Sequence, residues 1–359
     1  MFSIKVNVTS GCRSLRKSCC GFTLVSLLMM IPSIGMVTVT PVQDNTSQFQ
    51  AGDYIFRGLS DLRWYRGDEQ LARWGQSWAI CADSHQQLWA GFVQDGRITL
   101  RRFTAPTKSQ DYVSATGFEG GSLSKIIFAD DHLHLVVTVP HQGKPSERLI
   151  KLVPFTISGA SFGQEIVLND YNGQPELLML PPLPPISKLP KPRKELLTHG
   201  IWDAALFGKS QLWISTQDKV ISYLIGEIPS AVDHAKIAYE EGSGMRKKVI
   251  HRLDADVGNP RGIAACSETQ IALVDCSGNG RLILLGVLGP VSSVELTSQI
   301  DPKVTFAWGW NNVLVSKDDI FVTNLHPNAG RVVRIDRASG RVKGELVSGF
   351  PVAEIVEVQ

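Results

Sequence analysis

The chain has 359 residues, a formal net charge of +2, 43% hydrophobic residues and 19% charged ones. That profile excludes an intrinsically disordered chain, and a near-balanced charge without a long basic run gives no electrostatic basis for nucleic-acid binding. The length accommodates one large domain or two ordinary ones.

At the N-terminus, Lys5, Arg13, Arg16 and Lys17 precede Ser18–Gln43, a stretch without a charged side chain that ends at Asp44. Basic residues followed by an apolar run long enough to span a bilayer predict, over residues 1–44, a signal peptide or an N-terminal membrane anchor forming one apolar helix. The remainder is then expected outside the cytoplasm: secreted, periplasmic, or tethered to the membrane through this segment. No A-x-A cleavage site or lipobox cysteine decides between a cleaved and an uncleaved segment. "GFTLVSLLMMI", Gly21 to Ile31, resembles the start of type IV prepilins through Phe22, Thr23 and Leu24. It departs from that pattern at Ser26, where an acidic residue is expected, and at Pro32, which interrupts a continuous helix. The resemblance implies a minor component of a pilus-like surface assembly.

From residue 50 onward the pattern changes to short apolar runs divided by turn residues, the signature of antiparallel hairpins. "YIFRGL" from Tyr54 and "LRWYRG" from Leu62 are predicted strands. Units of strand, tight turn, strand, turn, strand then recur over Ser77–Phe103, Leu123–Phe155, Ile201–Gly226, Gly258–Gly286 and Trp310–Asp336. A fourth, less regular strand follows each, such as "RVKGELVS" after the last. Between the second and third units, "LLMLPPLPPISKLPKPRKELL" (177–197) is rich in Pro and Lys. Proline is excluded from central strands, so this reads as a stiff surface connection between two blades, the alternative being a segment bound by a proline-recognising partner. "FPVAEIVEV" closes the chain as a strand with no partner after it.

Four-stranded antiparallel units recurring at intervals of roughly 40 to 75 residues predict a β-propeller, because a single sheet of this size cannot bury both faces and a ring of them can. Five units lie complete in the sequence. Pairing Val352–Val358 with the strands near Tyr54–Gly67 completes a sixth blade and removes the exposed sheet edge. The predicted fold is therefore all-β, a six-bladed propeller over 50–359 closed between its N- and C-terminal strands, with uneven middle spacing leaving five or seven blades open.

Two units carry a family resemblance. "NPRGIAACSETQIALVDCSGNGRLILLG" is similar to an NHL-type repeat through Pro260, Gly262, Ile263, Ala264, Asp275, Asn279 and Arg281, with one extra residue between Asp275 and Asn279. "DIFVTNLHPNAGRVVRIDRASGRVKGELVSGFPV" is similar to a YVTN-type repeat through Phe321, Val322, Thr323, Asn324, Val333, Ile335, Asp336, Gly340, Gly349 and Pro351. Together they cover about a fifth of the chain. The resemblance implies the broad group of NHL, gluconolactonase-like and TolB-like propellers, which contains both enzymes and binding modules.

In propellers the loops leading into the innermost strands build a site at one mouth of the channel. Here those loops carry Arg73, Trp74 and Gln76; Glu119; His199 and Asp203; Asp256, Asn259 and Arg261; Trp308, Trp310 and Asn311; and Glu354. The ligand-binding candidates are Trp74, Glu119, His199, Asp203, Asn259, Arg261, Trp308 and Asn311. The partner is a small molecule or a protein, and the leading expectation is recognition without catalysis. No motif demands a cofactor. The gluconolactonase resemblance implies a second reading, a lactonase or related hydrolase in which His199 and Asn259 help to hold Ca²⁺ or another divalent cation. Arg261 stands where that family places an Asn, which weighs against it.

Other residues read more simply. Asp275 and Asn324 recur at equivalent places in successive units, which is expected of structural turn residues. His132 and His134 share one face of a strand without a third ligand in view. Cys266 and Cys276 allow a disulfide, though the simpler reading is a pair of small buried hydrophobes.

Overall fold

The protein's structure, a computed structural model, describes residues 48–359 apart from 76–78, 143, 169–175, 178–200, 208–210, 217–219, 225–247, 252–258, 268–269, 278–279, 287–288, 296–308 and 328–329. The chain divides into two compact units, Met1–Met36 and Val37–Gln359. The first unit, with the expected signal or anchor helix and the prepilin-like stretch, lies outside the described residues. Among the described residues there is no helix, and so none long and apolar enough to cross a membrane.

Five sheets are built from strands consecutive in the chain. The first contains β4 (Ala79–Ala82), β5 (Leu88–Gln94), β6 (Arg97–Ala105) and β7 (Lys108–Thr116). The second contains β8 (Ser122–Ala129), β9 (His132–His141) and β10 (Lys144–Thr156), with the short β11 (Ser161–Phe162) and β12 (Ile166–Val167) on the outer edge of β10. In the third, β14 (Asp203–Phe207), β15 (Gln211–Ser215), β16 (Val220–Leu224) and β17 (Lys248–His251) follow from the inside outward, and β13 (Glu176–Leu177) adds in parallel to β17. The fourth is β18 (Pro260–Ser267), β19 (Gln270–Asp275), β20 (Arg281–Gly286) and β21 (Gly289–Glu295). The fifth is β22 (Trp310–Val315), β23 (Asp319–Asn324), β24 (Arg331–Asp336) and β25 (Val342–Ser348).

A further sheet is composite. β1 (Tyr54–Arg57), β2 (Asp61–Arg66) and β3 (Glu69–Gly75) come from the beginning of the described chain, and β26 (Glu354–Glu357) from its end. β26 pairs antiparallel with β1, Tyr54 opposite Glu357 and Arg57 opposite Glu354. This is the closure expected from the unpartnered terminal strand. Three details differ from the expectation. Arg73 and Trp74, expected on a loop, lie in the strand β3, whose Leu71, Ala72 and Trp74 are buried. Two sheets have five strands, since short segments after β10 and before β14 find free sheet edges. Leu177, the first residue of the Pro-rich connection, belongs to β13, and the rest of that connection lies outside the described residues.

The apolar core is distributed between sheets. Trp89 of β5 and Phe155 of β10 belong to one cluster joining two neighbouring sheets, and Val136 and Leu212 to the next. Ala205 and Leu273, Val274 and Val322, Phe321 and Phe56, and Trp64 and Leu88 mark the remaining junctions. Every sheet thus buries one face on the preceding sheet and the other on the following one, which removes apolar area from water on both sides. The first strands touch in the cyclic order β4, β8, β14, β18, β22, β26 and back to β4. Small antiparallel sheets stacked around an axis make the chain a β-propeller. Two of the buried tryptophans are tied to acidic residues: Trp64 Nε1 donates to Asp53 Oδ2 at 2.9 Å and Trp89 Nε1 to Asp83 Oδ2 at 2.8 Å.

Candidate functional site

The inner strands bring their ionisable residues together. Lys125, the only charged residue in "SLSKIIFA", follows a register shift in β8 between Leu123 and Lys125. Such an irregularity redirects a side chain from the sheet face. Its Nζ lies 3.0 Å from Asp203 Oδ1 at the start of β14 and 2.8 Å from Glu354 Oε1 at the start of β26. Asn312 of β22, beside a second register shift between Trp310 and Val313, donates from Nδ2 to Asp203 Oδ2 at 2.8 Å. The backbone N–H of Ile263 in β18 donates to Asp203 Oδ2 at 3.0 Å, and that of Ile80 in β4 to Glu354 Oε2 at 3.2 Å. Arg57 Nε completes the set, 3.1 Å from Glu354 Oε2. Every inner strand therefore contributes a group to one buried ion cluster.

Charge balances within it. Two cations face two carboxylates. Asp203 accepts from Lys125, Asn312 and the N–H groups of Ala204 and Ile263, which uses the four lone-pair positions of a carboxylate. Burial alone would lower the Lys125 pKa, but Asp203 and Glu354 outweigh it and hold the ammonium above its ordinary value. Burial pushes the Asp203 pKa up; Lys125 opposes this, Glu354 adds to it, and the net direction is upward.

Close approach of backbones is part of the same construction. A Cβ on Gly262 would lie 2.6 Å from the Asn311 carbonyl oxygen and 2.8 Å from Asn312 Cα, so only glycine lets β18 and β22 meet here.

A different set of groups lies where the chain enters the inner strands. Trp202, immediately before β14, is 41% exposed. Arg261 of β18 lays its guanidinium over the Trp202 ring, with Cζ 3.5 Å from the centroid. Its Nε donates to Asn259 Oδ1 at 3.1 Å. Among the described residues no carboxylate pairs with Arg261, and burial draws its pKa below the ordinary value. Asn311 Nδ2 donates to the Ala353 carbonyl at 2.7 Å. Leu59, in the turn between β1 and β2, is 56% exposed. Turns after the second strand of each sheet lie at the same end as entries into the first, as the pairing of Pro260 with Asp275 shows. This end of the ring is the rim.

The candidates from the sequence separate accordingly. Asn259, Arg261 and Asn311 lie on the rim, and Asp203 lies beneath it in the ion cluster, 3% exposed. Trp74 is misplaced by the sequence reading: on the outermost strand β3, it is 2% exposed, stacks with Trp64 at 6.5 Å and donates from Nε1 to the Pro106 carbonyl. Arg73, also on β3, pairs with Asp61. Glu119 is exposed, against the β5–β6 turn at Gly96. His199, Trp308, Gln76 and Asp256 lie outside the described residues. Lys125, Asn312 and Arg57 were missed. The signal for Lys125 was present, a lone charge inside the apolar first strand of a unit.

The metal reading can be tested against these contacts. Asp203 has its lone pairs used, Glu354 is paired by two cations, and Asn259 Oδ1 faces a guanidinium. A divalent ion would have to displace Lys125 and approach Arg57 and Arg261. These residues do not fit a divalent cation. Among the described residues no group of three His, Cys, Asp or Glu is arranged to hold a metal. His132 and His134 do share a face, ring centroids 6.5 Å apart, and burial pushes the His134 pKa down. Cys81, Cys266 and Cys276 are buried thiols outside any disulfide. Burial pushes the Cys81 thiol up to about 12 and the Cys266 thiol up to about 11, which removes nucleophilic thiolate at neutral pH.

Asp275 and Asn324 are turn residues, as their repetition suggested. Asp275 accepts from the N–H groups of Asn259 and Ser277, each at 3.0 Å, and Asn324 Oδ1 from that of His326 at 2.7 Å.

No family model matches the chain, and no curated protein matches it. Solved structures do. The chain is similar to a protein of unknown function from Bacteroides caccae, with a TM-score of 0.56 and 8% identity over 86% of this chain and 100% of that one. It is similar to a chain of a nidogen/laminin complex, with a TM-score of 0.50 and 12% identity over 86% of this chain and 98% of the other. A proposed 6-phosphogluconolactonase from Bacteroides fragilis is similar at a TM-score of 0.49 and 11% identity, over 86% of this chain and 83% of that one. At such identities the likeness is one of fold alone.

Proposed function

We propose that this chain is an exported, six-bladed β-propeller that recognises a small molecule or a protein at the rim formed by Trp202, Asn259, Arg261 and Asn311, without catalysis. The observation that carries the reading is the ammonium of Lys125 held between Asp203 and Glu354. Buried carboxylates neutralised within the protein have no spare charge to polarise a substrate carbonyl or to hold a metal-bound water. Exposed aromatic area beside polar side chains is instead the composition of a recognition surface.

Metal analysis of the purified propeller is the test. The expected result is no stoichiometric Ca²⁺ or Zn²⁺, and no hydrolysis of gluconolactone when either ion is added. A tightly held ion that is lost on Asn259→Ala or His199→Ala would overturn the reading in favour of a cation-dependent hydrolase. Export rests on the basic residues and uncharged stretch Ser18–Gln43. The mass of the mature N-terminus tests it: a chain beginning at Phe22 reports prepilin-type processing, an intact chain in the membrane fraction reports an anchor, and an intact chain in the cytosol overturns export.

A further inference from the structure

We infer that the rim binds a carboxylate group, with Arg261 as its recognition residue and Trp202 as the platform that holds the guanidinium flat. The inference deepens the rim reading above and rests on it.

The argument starts from charge. Arg57, Arg63, Arg66, Arg73, Arg101, Arg281, Arg331 and Arg334 each have a carboxylate partner within the protein. Arg261, although half-buried, has none among the described residues; Arg102 and Arg337 also pair with no carboxylate there, but their terminal amino groups are used, on Gln110 and on backbone carbonyls. Removing a guanidinium from water without an anion is unfavourable, and the indole face compensates only in part. Among the described residues its immediate surroundings are neutral: Trp202 on one face and Asn259 at Nε. Nε is used by Asn259, while the two terminal amino groups make no hydrogen bond among the described residues. Those terminal groups form the donor edge of a planar fork, which matches the two oxygens of a carboxylate.

Rigidity points the same way. Stacking at 3.5 Å and the bond to Asn259 restrict the torsions of a long side chain, so less conformational freedom is lost when an anion docks. The β18 backbone around Arg261 is itself fixed: its carbonyl accepts a hydrogen bond from Ser215 Oγ, and Gly262 abuts the Asn311 backbone.

Two carriers share this chemistry, a uronic acid and an acidic peptide. Calorimetric titration of the purified propeller with D-glucuronate, with an acetylated glutamate tripeptide and with neutral D-glucose distinguishes them. One carboxylate probe is expected to bind and to weaken with added salt. Arg261→Ala should reduce its affinity by roughly tenfold or more, and Arg261→Lys should recover only part, because an ammonium lacks the fork. Thermal melts of both variants verify that they fold. Equal affinity of wild type and Arg261→Ala would overturn the inference. So would failure of both carboxylates at millimolar concentration. Glucose binding that depends on Trp202 and ignores Arg261 would also overturn it while leaving the rim reading in place. A resident metal ion, by contrast, sinks the rim reading itself.

Discussion

Two groups of charges occupy adjacent positions of the same inner strands and are treated in opposite ways. In the ion cluster, Lys125, Asp203, Glu354 and Arg57 balance one another, and every inner strand contributes a donor or acceptor. At the rim, Arg261 has no anion among the described residues, and Trp202 stays 41% exposed beneath its guanidinium. The difference teaches which part of the propeller is structural. A charge-balanced cluster has no free charge to offer a ligand; a guanidinium without a carboxylate does.

The comparison is most strongly broken by Lys125→Met. It strands Asp203 as a buried carboxylate without a cation, while Glu354 keeps Arg57, and loss of one partner from a buried charge pair costs about 3–5 kcal/mol. A large fall in Tm is expected. Adding Asp203→Asn, which removes the orphaned charge and leaves Glu354 paired with Arg57, should restore most of it. An unchanged Tm in the single variant would mean the cluster is not structural.

Gly262→Ala probes how tightly the inner strands meet. Its Cβ would press on the Asn311 carbonyl, and overpacking of this kind costs about 1–3 kcal/mol. Denaturant unfolding should show a lowered midpoint with the slope retained.

Asp275→Ala tests a turn rather than the axis. The backbone N–H groups of Asn259 and Ser277 lose their acceptor, which costs about 1–3 kcal/mol. Burial alone would raise the Asp275 pKa, but hydrogen bonds from Ser277, Arg281 and Asn259 outweigh it and hold it below the ordinary carboxylate value. A depressed folded pKa gives stability that is present above the unfolded value of about 3.9 and is lost as the pH falls through the folded one. The Tm gap between wild type and Asp275→Ala should therefore be constant from neutral pH down to about 5 and narrow below about 4. A gap that widens with acid would contradict the assignment.

The smallest stability effects belong to the rim. Trp202→Ala and Arg261→Ala should stay within about 0.5 kcal/mol of wild type, as substitutions at a solvent-facing rim do, while weakening recognition. If either destabilises the ring as much as Lys125→Met, the contrast between axis and rim is lost.

Much of the architecture could be read along the chain. Five three-strand runs, turn residues between them and an orphan strand at each end are local patterns, set by side-chain alternation and turn chemistry. Even the partner of β26 was legible, since Val352–Val358 had no other edge to join. β3 was not, because its two polar leading residues hide a strand whose Trp74 packs on β2 and the neighbouring sheet. Of the site, Asp203, Asn259, Arg261 and Asn311 were legible as residues entering inner strands. Their division into buried and exposed sets was not.

The order of residues by itself determined where strands begin and end and that small sheets must stack to cover both faces, because both follow from hydrophobic periodicity within a few residues. Only the tertiary structure decided that Lys125 neutralises Asp203 and Glu354, and that Trp202 supports Arg261. These partners come from different sheets, far apart in the chain. Closure of the ring brings them within reach, where low dielectric makes their pairing, or lack of it, decisive.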